Sequence, residues 1–518
     1  MPMFAADRKD MQQMDQYTIE TIGLPGVVLM ENAGAKVVHE ITGHLTSEKP
    51  KIIVVAGSGN NGGDGFVIAR RLHDEGYECL LCLAADPERI KGDAKIHFDV
   101  YLNRGLPIRY IHQNPKRDLP KIMEQADVIV DAILGTGANG PVRQPFNEII
   151  SMINEIGKDK MIISVDIPSG LNSDSGKVDD LAIKADKTIT FVCPKKGFFL
   201  QDGPKYVGSW KTVDISVPSS IVRDLNLNMP TVVTERLVND LVPKRPIDGH
   251  KGTFGHVLVL GGSRQYVGAP LFTAKSALFS GAGLVTLAVP VNIYPMAAAQ
   301  VPAALFSPLS ETDGHFSDHS VHEIASRFNE FDVVAVGPGM SRFPKGEKWM
   351  ETLFQSLSGQ TVVVDADALY LSRNHLELLK KYKGDIIFTP HPGEMAGLLN
   401  SDVRDVESDR IEHAQEFAKK YGIHLLLKGH RSIIASPQGE IFINPAGHDA
   451  LGKGGSGDVL TGLIASFVAQ GAQPLDAMTA ASYLHARAGE EMAKKYSRYG
   501  VAAPDLIQGV REYLNRLG

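Results

Sequence analysis

Short, nearly continuous apolar runs alternate with longer stretches of helical period along most of this chain. In the first half, Lys51–Ala56 (KIIVVA) reads as a strand buried on both faces of a parallel sheet. Glu78–Ala84, Ile108–His112, Asp127–Leu134 and Met161–Ile167 read as further strands, and Lys187–Val192 and Gly208–Val217 complete the set. Asp64–Glu75 has helical character, and two helical stretches, Lys9–Thr21 and Val27–His44, precede the first strand. The pattern restarts with strand His256–Leu260, helix Pro270–Ser280 and strand Leu284–Val289. Strands Asp332–Val336, Thr361–Asp365, Asp385–Thr389 and His424–Lys428 follow. Ser432–Ala435 and Glu440–Asn444 look like an antiparallel pair around Pro437-Gln438-Gly439, and Ala480–Tyr496 reads as a helix.

This order predicts an α/β protein whose first half is a Rossmann-like three-layer domain. Between the halves, Asp224 to Asp248 is polar and carries Pro230, Pro243 and Pro246. The boundary is expected near residue 222, giving domains 1–222 and 223–518. A chain of 518 residues is too long for one core.

Composition excludes several classes. The chain is 43% hydrophobic and 22% charged with a net charge of −7, so nothing marks nucleic acid or an anionic membrane as a general partner. No apolar run reaches the roughly 18 residues of a membrane span, and Met1 to Asp15 lacks the layout of a signal peptide. Three cysteines suit a reducing cytosol, and a cytoplasmic location is expected. Cys79 and Cys82 form a C-x-x-C, but on a strand two residues three apart face opposite sides, so both read as core residues.

The densest chemical signal is Gly454-Gly455-Ser456-Gly457-Asp458 leading into the apolar-periodic run Val459 to Val468. A glycine-rich turn at a helix start aims unpaired N–H groups at one point, at the positive end of the helix dipole, and so binds an anion, phosphate best. Asp458 beside a phosphate would be repulsive unless it has a task. The fitting task is that of a general base for a hydroxyl attacking a phosphoryl group. Other strand-end loops join it: His391 between Pro390 and Pro392, Lys428-Gly429-His430-Arg431-Ser432, Gly337-Pro338-Gly339, and Gly268-Ala269-Pro270 after Gly261-Gly262. Strand-end loops facing such a helix are the layout of a small-molecule kinase.

In the first half, Lys51–Ala56 runs into Gly57-Ser58-Gly59-Asn60-Asn61-Gly62-Gly63-Asp64-Gly65, a strand, glycine loop and helix start that would hold phosphate. Two more polar strand ends should lie beside it: Asp131 with Gly135-Thr136-Gly137-Ala138-Asn139-Gly140-Pro141, and Asp166-Ile167-Pro168-Ser169.

These residues carry a resemblance. Asn60–Asp64, Asp131 with Gly135–Pro141, and Asp166–Ser169 resemble the epimerase domain of the NAD(P)H-hydrate repair family, over roughly residues 1–220. Residues 226–518, with HKGTFG around Lys251, GPG, TPHPGE and GGSGDVLTG, resemble that family's ribokinase-like dehydratase domain. The resemblance implies that Asn60–Asp64 and Gly135–Pro141 wrap a hydrated dinucleotide, with Asp166 near the reacting ring. It implies a potassium ion held by Asn61, Asp131 and Ser169. In the second domain it implies that Lys428–Ser432 and Gly457 contact the adenosine nucleotide, while Ala269, Gly339, His391 and Asp458 contact the hydrate. Ser432 stands where relatives often carry Thr; the hydroxyl is kept.

The implied reaction is repair of NADHX and NADPHX, the hydrates of NADH and NADPH. Hydroxide is a poor leaving group; phosphorylating the ring hydroxyl makes a good one, and elimination restores the dihydropyridine. Asp458 would take the hydroxyl proton while the Gly454, Gly455, Ser456 and Gly457 amides stabilise the phosphoryl charge. ADP is the expected phosphoryl donor, with magnesium as a candidate companion ion. The dehydratase takes the S epimer, which gives the epimerase domain its purpose. A homo-oligomer without nucleic acid or membrane partners is expected. The alternative is a ribokinase-type kinase fused to a dinucleotide-binding regulatory domain, which would release a stable phosphorylated product. A NAD-dependent oxidoreductase is disfavoured, because neither half has the G-x-G-x-x-G turn with an acid about 20 residues on.

Overall fold

A computed structural model describes residues 2–43 and 50–517. The chain divides into two compact units, Phe4–Pro230 and Thr231–Gly518, the second also including the extreme N-terminus up to Met3. The division falls eight residues beyond the expected boundary, inside the Pro-containing junction. Pro230 ends the first unit, and Thr231–Val232 already pairs as a strand of the second.

The N-terminal unit is built on a parallel sheet of seven strands. Their order is Ile108–Tyr110, Glu78–Leu83, Lys51–Ala56, Val128–Ala132, Met161–Val165, Lys187–Phe191 and Ser209–Val213. Every strand anticipated from the apolar runs is present. Alternate residues of one strand enter two separate cores: Ile52, Val54 and Ala56 on one face, Ile53 and Val55 on the other. Helices cover both faces, as the continuous apolar runs require. Cys79 and Cys82 are buried in opposite cores, which bears out the reading of C-x-x-C as packing.

One helix starts earlier than its periodicity suggests. The run Asn60-Asn61-Gly62-Gly63-Asp64 belongs to helix Asn60–Asp74 and not to a loop before Asp64. Glycine disfavours a helix interior by about 1 kcal/mol, but here close packing decides. A Cβ on Gly62 would lie inside the contact shell of the Gly57 carbonyl oxygen, and one on Gly63 would strike the sulfur of Met30. The glycines let the helix start press against the strand end. The helix read as Val27–His44 is described from Gly26 to Thr42; His44 lies outside the described residues.

The second unit carries an eleven-stranded sheet among the described residues. From one edge the order is Met3–Phe4, Thr231–Val232, Ile441–Ile443, Ile433–Ala435, His424–Leu427, Ile386–Phe388, Thr361–Val364, Val333–Val336, His256–Leu260, Leu284–Pro290 and Leu305–Leu309. The strands from His424 to Leu309 in this order are parallel. Ile433–Ala435 and Ile441–Ile443 form the anticipated antiparallel pair. Leu305–Leu309 escaped the pattern because Pro308 interrupts it; as an edge strand it tolerates a residue with no N–H to give. Helix Pro474–Tyr496 begins six residues before the expected Ala480, with proline at its first position, where no intrahelical N–H is needed.

In both sheets the chain reverses its direction of growth once. The first unit grows outward from Lys51–Ala56, then jumps back to Val128–Ala132; the second grows from His256–Leu260, then jumps to Val333–Val336. A crevice opens at the carboxyl ends of the strands at such a switch point. The fit around Gly62 is open to measurement. Gly62→Ala is expected to destabilise the N-terminal unit by about 1–3 kcal/mol, as overpacking does. Denaturant unfolding with an unchanged midpoint would show that the helix start has room to spare.

Candidate functional sites at two sheet switch points

A cavity of about 640 Å³ opens at the first switch point. Of the anticipated residues, Asn60, Asn61, Asp64, Gly135, Thr136, Gly137, Ala138 and Asp166 line it. Asn139, Gly140 and Pro141 line a neighbouring cavity of about 180 Å³. Gly62 and Gly63 line neither; they face the Gly57 carbonyl and Met30.

Asp166 leaves the strand Met161–Val165 in a left-handed conformation, φ 64°. Such backbone in a non-glycine residue costs energy and persists only where neighbours impose it. Here three donors converge on its Oδ1: Lys195 Nζ at 2.6 Å, the Thr190 hydroxyl at 3.1 Å and the Phe191 amide at 3.1 Å. Lys195 is fully buried, and its ammonium also donates to Thr190 Oγ1, Phe191 O and Cys193 O. Three more carboxyls line this cavity, Asp15, Asp64 and Asp93. Burial, with the charges of Asp166 and Asp15, raises Asp64 well above the usual range. Burial, then Asp166, lifts Asp15 to about 6, Lys195 pulling the other way.

Asp131, Ser169 and Asn61 do converge. Asp131 is fully buried; it accepts from Ser164 Oγ at 2.8 Å, the Ser169 amide at 2.9 Å and Ser169 Oγ at 2.5 Å. Burial outweighs these donors and raises its pKa. Asn61 Nδ2 donates to the Leu134 carbonyl at 2.9 Å, and the Leu134 amide donates to Ser169 Oγ at 2.8 Å. Asn61 Oδ1 is buried without a hydrogen-bond partner. A buried, unpaired carboxamide oxygen beside a buried carboxylate is a donor set suited to a weakly hydrated cation.

In the second unit, the ends of strands Thr361–Val364 and His424–Leu427 meet the helix Ser456–Ala469 through Asp365 and Lys428. Asp365, just past Thr361–Val364, receives Lys428 Nζ at 2.8 Å and the Thr461 hydroxyl at 2.7 Å. Burial alone would raise Asp365, but the Lys428 ammonium and the Thr461 and Thr389 hydroxyls together outweigh it and hold the carboxyl below its usual range. Asp458 lies beyond this pair; burial, then the Asp365 charge, pushes it up to about 7 against the pull of Lys428. Burial likewise lifts Glu394 to about 7.

Gly455 caps the helix at φ 90°, and the first intrahelical bond runs from the Val459 amide to the Gly455 carbonyl. The Gly457 and Asp458 amides therefore sit in the unbonded first turn. The helix is held against Gly268–Phe279 by Thr273 Oγ1, which donates to the Asp458 carbonyl, and by Ser276 Oγ, which donates to the Val459 carbonyl. Thr273 also reaches the Ala269 carbonyl, which ties Ala269 to Asp458; Gly339 packs close to Ala269 at the second switch point.

Beside this centre lies a cavity of about 670 Å³ lined by His391, Lys428, Gly429, His430, Ser432, Ser456 and Gly457 among others. Arg431, Gly454 and Gly455 do not line it. Arg431 turns back to the His430 and Gly447 carbonyls, and Gly455 packs on Phe272 and Ala503. Buried Arg410 fixes the loop from behind, donating to the Leu427, Lys428 and Arg431 carbonyls. His391 has a structural task as well. Its Nδ1 accepts from the Gly393 and Glu394 amides while Glu394 Oε2 accepts from the His391 amide, a capping box that leaves Nε2 as the ring's other edge.

Asp15, Lys195, Asp365, Thr461 and Glu394 were not singled out from sequence. Asp365 had a signal, a lone acid closing an apolar run, the same that marked Asp131 and Asp166. Lys195 stands next to Lys196, and nothing local says which is buried.

The site geometry defines a two-site α/β protein: a dinucleotide-sized crevice on a Rossmann-like unit, and a kinase-like phosphoryl centre on a ribokinase-like unit. Two family profiles agree with it. Residues 26–197 match the family described as YjeF-related protein N-terminus, and residues 257–511 match NAD(P)H-hydrate dehydratase. A bifunctional NAD(P)H-hydrate repair enzyme of Moorella thermoacetica is 36% identical over 99% of this chain and 97% of its own. One from Thermofilum pendens is 32% identical with the same coverage. The solved ADP/ATP-dependent NAD(P)H-hydrate dehydratase of Bacillus subtilis, co-crystallised with ATP/Mg2+, is 29% identical, covers 56% of this chain and 100% of its own, and superposes with a TM-score of 0.49. The chain belongs to the family of bifunctional NAD(P)H-hydrate repair enzymes.

The Asp365–Lys428 pair offers a direct test of the second site's construction. Lys428→Met leaves a buried carboxylate without its ammonium and is expected to destabilise the C-terminal unit by about 3–5 kcal/mol. Adding Asp365→Asn should recover much of that loss in denaturant unfolding; a double variant no better than the single would mean that the two side chains are not coupled.

Proposed function

We propose that the protein repairs hydrated NADH and NADPH, interconverting R and S hydrates at the first site and dehydrating the S hydrate at the second at the expense of ADP. The observation that carries this reading is the placement of Asp458. It stands in the unbonded first turn of a helix, next to the Asp365–Lys428 pair and the 670 Å³ cavity. Its raised pKa suits a base that must take a hydroxyl proton near neutral pH. Lys428 and the first-turn amides are placed to meet phosphoryl charge, which lowers the barrier without covalent participation by the protein. The adenosine nucleotide is assigned to the cavity bordered by Lys428, Gly429, His430, Ser432 and Gly457, and the hydrate to the side of Ala269, Gly339, His391 and Asp458. The kinase alternative would end at the phosphorylated hydrate; the family membership favours carrying on to elimination.

Among the described residues no group of three or more His, Cys, Asp or Glu forms a metal cluster. Magnesium would therefore depend on nucleotide phosphates for much of its coordination. Potassium is assigned to Asn61, Asp131 and Ser169; the unpaired Asn61 Oδ1 supports this reading. Bound there, it would supply fixed positive charge beside the hydrate crevice. Among the described residues no helix is long and apolar enough to cross a membrane.

Dehydration of the S hydrate with ADP is expected to climb with pH, about tenfold per unit, until Asp458 ionises near pH 7, and then to level off. Asp458→Asn should lose about a hundredfold or more and the pH limb with it, while epimerisation continues. Near-normal dehydration by this variant would remove Asp458 as the base. Replacing potassium by a large organic cation should slow epimerisation, and Asp131→Ala should abolish that dependence; full epimerase activity without potassium or sodium would exclude the ion. A fragment ending at Pro230 is expected to interconvert the epimers without nucleotide, as followed by separation of the R and S hydrates.

A further inference from the structure

The proton-transfer group of the epimerisation is the missing piece of the first site. Its cavity is lined by four carboxyls from four elements: Asp15 on the helix Arg8–Gln16, Asp64 on the helix Asn60–Asp74, Asp93 on the helix Gly92–Asn103, and Asp166 at a strand end. They are not equivalent. All three protein donors to Asp166 converge on Oδ1, and among the described residues no donor reaches Oδ2. Lys195 thus pins one oxygen of a residue that lines the cavity and leaves the other without a protein donor among the described residues. Asp64 sits deeper, buried to 8% exposure.

We propose that Asp15 is the proton carrier of the epimerisation, and that Lys195 is a positioning residue that holds Asp166 with Oδ2 facing the reacting ring. This rests on the epimerase reading of the first site. The carbon to be inverted bears the hydroxyl and is bonded to the ring nitrogen. The Asp15 carboxyl gives its proton to the hydroxyl, the C–O bond breaks and water leaves. The nitrogen lone pair forms a C=N bond, leaving a cation that the free oxygen of Asp166 faces. Water then adds at the opposite face of the ring, the electrons of the C=N bond return to nitrogen, and the proton of the adding water returns to Asp15. Nothing is oxidised or reduced, and no co-reactant is consumed.

The surroundings of Asp15 favour this assignment. Asp64 and Asp166 face it from other elements and Lys195 lies behind Asp166, while Arg8 from its own helix and Asp93 line the same cavity. With burial and carboxylates outweighing the cation, Asp15 is raised to about 6 and keeps a proton far better than an exposed aspartate does. A carboxyl that gains and loses its proton near pH 6, next to an ion-paired carboxylate, gives the division of labour that acid–base catalysis requires.

The test uses the full-length protein with separated R and S hydrates. Asp15→Asn is expected to slow R-to-S conversion about a hundredfold, with the ADP-dependent dehydration of the S hydrate unchanged. Wild-type epimerisation should fall as pH rises past the titration of Asp15, and Asp15→Glu should restore part of the rate with a shifted limb. Lys195→Met should lower kcat more than it raises KM. If the wild type interconverts the hydrates and Asp15→Asn does so within about threefold, or keeps the same pH limb, the inference fails while the epimerase reading stands. If the wild type shows no interconversion, that reading itself fails. Isotopically labelled water gives a check independent of any variant: each inversion by the wild type should place solvent oxygen in the hydroxyl, and inversion without label would overturn C–O cleavage.

Discussion

Parallel pairing obliges the strands of a sheet to end along one edge, and in both units that edge is where the polar residues collect. Strand interiors buried on two faces favour apolar side chains, with an occasional Ser or Thr such as Ser164, Thr188 and Thr190, so the acids collect at or near the strand ends. Asp131, Asp166 and Asp365 all stand at or next to such ends. Because each sheet reverses its growth once, two strand ends diverge and leave a crevice; the first cavity lies at such a point, while the second opens a few strands along the same edge, beyond the ends of Ile386–Phe388 and His424–Leu427.

The charges placed there are mutually dependent. Asp365 is tolerable because Lys428 lies 2.8 Å away, and its charge then raises Asp458, the group that must accept a proton. In the first unit Lys195 does the same for Asp166, whose charge adds to burial in raising Asp15 and Asp64. Each site therefore pairs an ion-bound carboxylate with a neighbour whose proton is held near neutrality or above. The common logic is electrostatic and owes nothing to similarity between the two folds.

Glycines serve geometry in both sites, though not always by exposing amides to a ligand. Gly62 and Gly63 were read as ligand contacts; they let a helix start touch the strand end beside it, and Asn60, Asn61 and Asp64 reach the cavity as a result. Gly462 does the equivalent in the second unit, where a side chain would strike the Thr273 carbonyl and push the Asp458 helix away. Close approach and ligand contact look alike in sequence, since both call for a missing side chain.

Local patterns were enough to locate the buried strands, because burial on two faces leaves an unbroken apolar run that few other structures need; the edge strand Leu305–Leu309 and the two-residue strands Met3–Phe4, Thr231–Val232, Glu311–Thr312 and His315–Phe316 carry no such run and were missed. They also located the acids that close those runs and the glycine-rich turns beside them. What they left open concerns partners far apart in the chain. Lys428 and Asp365 are separated by 63 positions, and Lys195 differs from Lys196 only in which way it points. Asp15 sits on a helix whose polar pattern looks like a solvated face, yet it lines the first cavity. Periodicity reports whether a residue is buried within its own element. Which buried charges meet is set by strand order and by where each crossover lands, and those follow from packing the whole chain at once.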